Sequence, residues 1–307
     1  MDQVNLLQFE TATTCTSNCT FCNHKHMTPR KQMPLTQIID LCYNLAYRAD
    51  TICPFGIQEP FLDSRMDKIC SNVKIFNPKS TVTTYTTFPV YPKKQLENIV
   101  KWGLIDELIV SYYGGNKQVH DTLQPGLDYK QTADNIKRFM RLKQRLQYDT
   151  PEVVMGYLLT EETLPNVKTF KKQWQNKVDK LIFFRYDGWC GTQPYDLEWE
   201  EKLWGKSPER YPCENLYCQQ FIHSNGDVVS CCLDYKAENK VGNVFNDWNT
   251  WWTSPKMNEL RSLHEQGRWD ENSLCKDCTK WRYNHKPGWN EYWKTHKTLP
   301  VASAINL

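Results

Sequence analysis

The sequence of 307 residues has no surplus of charge of either sign: 38 Lys and Arg face 35 Asp and Glu, a formal net charge of +3. So even a balance excludes a whole-molecule field suited to nucleic acid or an anionic membrane. Long apolar runs are also missing. The longest, around Val153–Leu159, falls far short of the ~20 residues that cross a bilayer. The opening stretch MDQVNLLQFE lacks a basic segment followed by an apolar one. No secretion signal is therefore visible, and a cytoplasmic protein without membrane partners is expected. Internal repeats and low-complexity tracts are absent. With 24% charged and 40% hydrophobic residues, disordered and fibrous classes are excluded. The length suits one large domain or two ordinary ones.

What the chain does have is thirteen cysteines. An odd number, tight clustering and no secretion signal argue against a disulfide framework. In a reducing compartment, clustered thiols point to metal.

Residues 4–186 read as alternating strands and helices. The strands are expected at Val4–Glu10, Thr51–Phe55, Thr81–Thr86, Glu107–Tyr112, Glu152–Leu159 and Lys180–Arg185, each short, apolar or β-branched and bounded by polar residues. Between them, Leu35–Tyr47 and Tyr129–Leu146 carry apolar residues at helical spacing. Pro165 suits the first turn of a helix running to Gln175. Six such units fit an open doubly wound α/β sheet or a partial barrel. After about Asp187 the composition shifts. Residues 188–211, rich in Gly, Pro and Trp, read as a linker. Asn225-Gly226 marks a hairpin turn between Phe221–His223 and Val228–Cys231.

The first cysteine group, Cys15-x3-Cys19-x2-Cys22, follows the first strand. Three thiolates supply three of a cubane's four iron ligands and leave one iron open, as catalytic metal sites do. Zinc with His24 or His26 as a fourth ligand is the alternative. The second group is Cys213-x12-Gly226-x4-Cys231, then 43 residues, then Cys275-x2-Cys278. Four thiolates would fill a second cubane completely, or a zinc ribbon. Cys190, Cys218 and Cys232 are left outside both groups, and Cys42, Cys53 and Cys70 read as core thiols.

At CTSNCTFC the sequence resembles the radical S-adenosylmethionine (SAM) superfamily. The resemblance implies a partial (β/α)6 barrel and a [4Fe–4S] cluster on Cys15, Cys19 and Cys22. The open iron of that cluster chelates SAM, and Phe21 lies near the adenine. It further implies that SAM is cleaved reductively to a 5′-deoxyadenosyl radical, with the electron supplied by a reductant such as flavodoxin or ferredoxin. Gly56-Ile57-Gln58-Glu59-Pro60 stands where the family carries Gly-Gly-Glu-Pro, with Glu59 toward the SAM amino group and Ile57 and Gln58 in place of two glycines. Thr86 and Ser111, at the ends of the third and fourth strands, match positions that contact SAM. Residues 212–281 resemble the twitch form of the SPASM domain. That likeness implies a second [4Fe–4S] cluster on Cys213, Cys231, Cys275 and Cys278. The compact build resembles that of 2-deoxy-scyllo-inosamine dehydrogenases.

These likenesses imply a two-electron oxidation of a small hydroxylated molecule, the second cluster taking an electron. Arg185 and Asp187, ending the sixth strand at the face where barrel sites lie, are the candidates for orienting a hydroxyl or taking its proton. Related SPASM proteins act on peptides, which keeps a peptide maturase open. With only 14 residues before Cys15, no built-in peptide-recognition domain is expected. Residues 282–307 form a basic aromatic tail. Between Lys280 and Lys297 lie five Lys or Arg and five Trp or Tyr. Such a tail suits either packing over the small domain or a nucleotide or nucleic-acid substrate.

Overall fold

The computed structural model describes residues 3–206 and 209–283. Six parallel strands come first: β1 (Val4–Phe9), β2 (Ala49–Cys53), β3 (Thr81–Thr86), β4 (Glu107–Ser111), β5 (Glu152–Leu158) and β6 (Lys180–Phe184). They pair in sequence order from β1 to β6. The crossovers are α1 (Leu35–Leu45), α2 (Met66–Phe76), α3 (Lys93–Lys101), α4 (Lys117–Leu123) with α5 (Tyr129–Leu146), and α6 (Val167–Trp174). This is the α/β arrangement of a partial (β/α)6 barrel. Among the described residues no helix is long and apolar enough to cross a membrane.

The periodicity explains the helices. Along α5, Ala133, Ile136, Phe139 and Leu142 are buried at three- to four-residue spacing, and the Asp128 carboxylate caps the Gln131 amide at 2.6 Å. In β5 every residue after Glu152 is buried, as expected of a parallel strand covered on both faces. Cys42, Cys53 and Cys70 lie in this interior, each at most 1% exposed.

The second half is continuous with the barrel. Strand β7 (Gln219–Ile222) pairs in parallel with β1, Phe9 opposite Ile222. Antiparallel β8 (Asp227–Val229) and β9 (Lys240–Asn243) complete a nine-stranded sheet ordered β6-β5-β4-β3-β2-β1-β7-β8-β9. The hairpin turn falls at Asn225-Gly226 as expected. Gly226 has φ +84°, and a Cβ there would lie 2.4 Å from the Phe245 ring, so only glycine fits. The stretch read as a linker holds helix α7 (Leu197–Trp204). Of the tail, residues 284–307 lie outside the described residues.

One buried group at the β1–β7 seam makes the fold sensitive to acid. His223, just past β7, is 1% exposed, and burial holds its imidazole down at about 4, with Arg30 adding to the effect and Glu10 opposing it. The unfolded chain therefore binds a proton that the folded chain refuses between about pH 6.5 and 4. This contribution to stability is present above pH 6.5 and falls away as the pH drops through that window, by up to ~3 kcal/mol. Anaerobic unfolding curves should show this loss in the wild type and a smaller one in His223→Gln.

Candidate active site

The loop from β1 into the first cysteine group is held by side chains from the β2 loop. Gln58 Oε1 accepts the Thr11 and Ala12 amides at 3.2 and 3.3 Å, and its Nε2 donates to Thr11 Oγ1 at 2.6 Å. The substitution of Gln58 for a usual glycine thus has a purpose: a buried amide clamps the backbone four residues before Cys15. Further along, the Asn18 and Thr20 amides donate to the carbonyls of Pro125 and Leu123 at 2.7 and 2.9 Å. The cysteine loop is thereby pinned at both ends.

Cys15, Cys19 and Cys22 lie within electrostatic reach of one another. Burial pushes Cys15 up to about 11 and Cys19 up to about 12. The His24 amide donates to Cys22 Sγ at 3.4 Å. In the second group the Leu233 amide donates to Cys231 Sγ at the same distance, while Cys213, Cys275 and Cys278 share one electrostatic neighbourhood. Among the described residues no three His, Cys, Asp or Glu side chains converge on a single-ion site. A cubane spreads its thiolates over separate irons, so sets of part-buried thiols with amide donors on Cys22 and Cys231 fit it.

The SAM-side candidates divide. Phe21 packs against Tyr113 with ring centroids 5.2 Å apart. Ser111, at the end of β4, lies within hydrogen-bonding reach of the Tyr113 hydroxyl. Tyr113 was not singled out by the sequence; its signal was the aromatic pair directly after Ser111. Glu59 is 3% exposed. Burial raises its carboxyl, while hydrogen bonds from Thr86, Thr87 and Phe61 act to lower it. Oε1 accepts from Thr86 Oγ1 at 2.6 Å and the Phe61 amide at 3.2 Å; Oε2 accepts from the Thr87 amide and hydroxyl at 2.8 and 2.9 Å. Thr86 therefore acts on Glu59, and in this structure the protein itself fills the acceptor positions of that carboxylate.

The two β6 candidates also part company. The Arg185 guanidinium pairs with the buried Glu200 at 3.0 Å, donates to the Arg282 carbonyl and lies 4.5 Å from the Trp204 ring centroid. It ties helix α7 to the barrel. Asp187 faces the second cysteine group instead. Burial raises its carboxyl, and Lys280 partly offsets this. Lys280 was missed by the sequence reading, hidden two residues after the last cysteine. Burial alone would lower its ammonium, but Cys232, Asp187, Cys231 and Cys278 outweigh that and hold it well above the usual range. Tyr85, pointing into the barrel from β3, feels the same charge. Lys280 thus lies within electrostatic reach of both the thiols and Tyr85. Cys190 and Cys232, left outside both groups by spacing, lie against the second one, whereas Cys218 stands apart near Glu214.

Comparison with known proteins gives this geometry a family. Residues 9–169, more than half of the chain, match the radical SAM superfamily. The chain belongs to the radical SAM superfamily. Residues 213–279 match the SPASM iron–sulfur cluster-binding domain. The protein is a radical SAM enzyme, and its cofactors are [4Fe–4S] clusters and SAM. An uncharacterized protein of Treponema pallidum is 27% identical over 125 residues, 39% of this chain and 32% of that protein, so the match spans about a third of that relative. BtrN in complex with AdoMet and 2-DOIA superimposes with a TM-score of 0.60 at 15% identity, covering 91% of this chain and 94% of that one. Streptococcus suis SuiB bound to the precursor peptide SuiA gives 0.69 at 16% identity, covering 92% and 71%. AnSMEcpe with bound AdoMet gives 0.64 at 16% identity, covering 90% and 89%. At such identities the shared property is the fold of radical SAM enzymes.

Gln58 supplies a direct test of how the cysteine loop is held. Gln58→Ala leaves the buried Thr11 and Ala12 amides without their acceptor, at a cost of ~1–3 kcal/mol. Denaturant titration under anaerobic conditions should show the loss, together with faster release of iron from the first group.

Proposed function

We propose that this radical SAM enzyme oxidises a small hydroxylated molecule by two electrons, with the second cluster as electron acceptor and an external one-electron reductant such as flavodoxin or ferredoxin. Asp187 carries the reading. A dehydrogenation must dispose of a proton and an electron, and Asp187 is a largely buried carboxylate within electrostatic reach of the thiols of the second group. Its raised carboxyl suits a group that takes a proton from a hydroxyl. The near-complete mutual coverage with BtrN, a structure holding AdoMet and 2-DOIA, supports a substrate of that size.

Cys15, Cys19 and Cys22 would hold the first cluster, and Cys213, Cys231, Cys275 and Cys278 the second. When bound, the first cluster with SAM supplies one-electron cleavage of the sulfonium and abstraction of a hydrogen atom, and the second supplies a sink for the electron left behind. The chain's own residues do the rest. Phe21 and Tyr113 would flank the adenine, with Ser111 at its ribose. Glu59 with Thr86 and Thr87 would fix the wall beside the SAM amino group. Lys280 would neutralise negative charge beside the second cluster and orient an oxygen of the substrate. Asp187 would take the hydroxyl proton. Buried walls keep water from a reactive intermediate.

Peptide modification is the second reading, supported by the likeness to SuiB and anSMEcpe in their peptide-bound structures. The nucleotide or nucleic-acid reading rested on the tail, most of which lies outside the described residues.

Incubation with SAM and a strong reductant should release 5′-deoxyadenosine, and replacing Cys15, Cys19 and Cys22 together by Ala should reduce release to background. Persistent release in that triple variant would overturn the assignment of the first cluster. Cys275→Ala should retain 5′-deoxyadenosine release but lose oxidised product. Asp187→Asn should lower product formation about 10²-fold, scored by mass spectrometry over a panel of small polyols, with SAM cleavage preserved. Turnover of peptides but of no polyol would favour the second reading.

A further inference from the structure

The inner face of the barrel carries an apolar layer of its own, separate from the core beneath the helices. Ile109 of β4, Val154 of β5 and Ile182 of β6 are buried against one another, and the half-buried rings of Tyr85 and Phe184 pack on them. The strand register sets these residues on one face: Tyr85 lies opposite Ile109, Ile109 opposite Val154, and Leu158 opposite Phe184, while alternate residues along each strand share that face. The aliphatic side chains are shut away and the rings keep accessible surface, so the rings are what the barrel interior presents. Phe55 extends that surface, its ring centroid 5.3 Å from that of Tyr85.

Gly156 decides how Phe184 lies. A Cβ on Gly156 would fall 3.2 Å from both Cδ2 and Cζ of Phe184 and closer still to Cε2. The ring is therefore folded back from the end of β6 onto bare backbone of β5. Gly156 sits within that strand and is not among the residues of positive φ, so glycine is needed here for space and not for backbone freedom. The Phe184 backbone is fixed as well, its carbonyl accepting the Leu159 amide at 3.0 Å. The place is central to the site. Gly156 lies opposite Ser111 in the sheet, and Asp187 follows Phe184 by three residues.

Resting on the proposed oxidation of a small hydroxylated molecule, with SAM beside Ser111 and the proton taken by Asp187, we infer that Phe184, laid over Gly156, is the floor of the substrate pocket and sets the size of molecule that reacts. A substrate that reaches from Ser111 toward Asp187 crosses this ring. An apolar floor at a fixed height gives a small polyol one face to rest on and leaves its hydroxyls toward the polar groups of the rim. It also stops the molecule from sinking to a depth at which its reacting C–H bond is misplaced, and small misplacements are costly in rate. Packing of this kind discriminates by size, because one methylene in an apolar pocket changes the preference about 10- to 200-fold.

The test compares wild type, Phe184→Leu, Phe184→Ala, Gly156→Ala and the double variant Gly156→Ala/Phe184→Ala, all purified without oxygen and checked for folding by denaturant titration. KM is measured for SAM and for a panel of small polyols, each with and without one O-methyl group, together with the ratio of oxidised product to 5′-deoxyadenosine. In Phe184→Ala the KM for SAM should hold while that for the best polyol rises about tenfold, the O-methylated polyols gaining relative to it. Phe184→Leu, which keeps most of the apolar volume, should shift the same way to a lesser degree and carries the test if the alanine variant does not fold. Gly156→Ala drives the ring upward and should raise KM for every polyol. Removing the ring in the double variant should recover part of that loss, a coupling that independent sites would not show. An unchanged order of polyols in the Phe184 variants would overturn the inference, as would a rise in KM for SAM alone or strict additivity in the double variant. A wild type that oxidises no polyol would instead overturn the proposed function, and the inference with it; that result is seen before any variant is made.

Discussion

The parallel pairing of β7 with β1 is the constraint on which the rest depends. It joins segments so far apart in sequence that Gln219 and Gln8, whose side chains meet across the seam at 3.1 Å, are separated by 211 residues. Because the strands are parallel, the loop after β7 emerges at the same end of the sheet as the loop after β1. The loop after β6, at the far edge, emerges there too. Cys15–Cys22, Asp187 and the hairpin leading to Cys231 are therefore presented at one rim, where open α/β architectures carry their chemistry. The buried Glu10–Arg30 ion pair, at 2.9 Å, closes the seam: Glu10 also accepts the Ser224 amide just beyond β7, and Arg30 donates to the Tyr235 carbonyl.

Burial sets the electrostatics at that rim. Thiols removed from water resist ionisation, and binding of iron must displace their protons. A site that holds several thiolates also accumulates negative charge in a medium that screens it weakly. The structure answers with an ammonium, Lys280, and with backbone amides directed at sulfur. The same environment raises Asp187. A single arrangement therefore serves both halves of the proposed oxidation, since charge that favours arrival of an electron sits beside the carboxylate that takes the proton.

Much of this was legible in the sequence because it is local. The period of α5, the parallel strands and the Asn225-Gly226 turn follow from patterns within a few residues, and the ranges of β3 and α5 agree with the expected ones. Strand ends shifted by one or two residues, because pairing with a neighbour and not propensity decides where a ladder stops. Seven cysteines announce themselves by spacing. The rest is tertiary. Nothing near Gln219 says that it will lie beside Gln8. Lys280 reads as one more basic residue before a basic tail, and only its seat among Cys231, Cys232 and Cys278 makes it part of the site. Cys190 lies between Gly188 and Gly191 in a stretch that looked like a linker; the flanking glycines were the only sign of the tightly turned backbone at Trp189, Cys190 and Gly191, all at positive φ.

Gln58 shows why a departure from a family pattern need not weaken the site that the pattern marks. Two glycines allow backbone to approach a ligand closely because they have no side chain to interfere. Here one of those positions carries a buried side chain, and both ends of its amide are used on Thr11 and Ala12. The conformational freedom that glycine brings is replaced by a fixed hydrogen-bonded strut. Glu59, directly following, is fixed in turn by Thr86, Thr87 and Phe61. The loop that would face SAM is therefore already ordered by its own hydrogen bonds. A preordered loop loses less entropy on closing around a ligand than a flexible glycine run would.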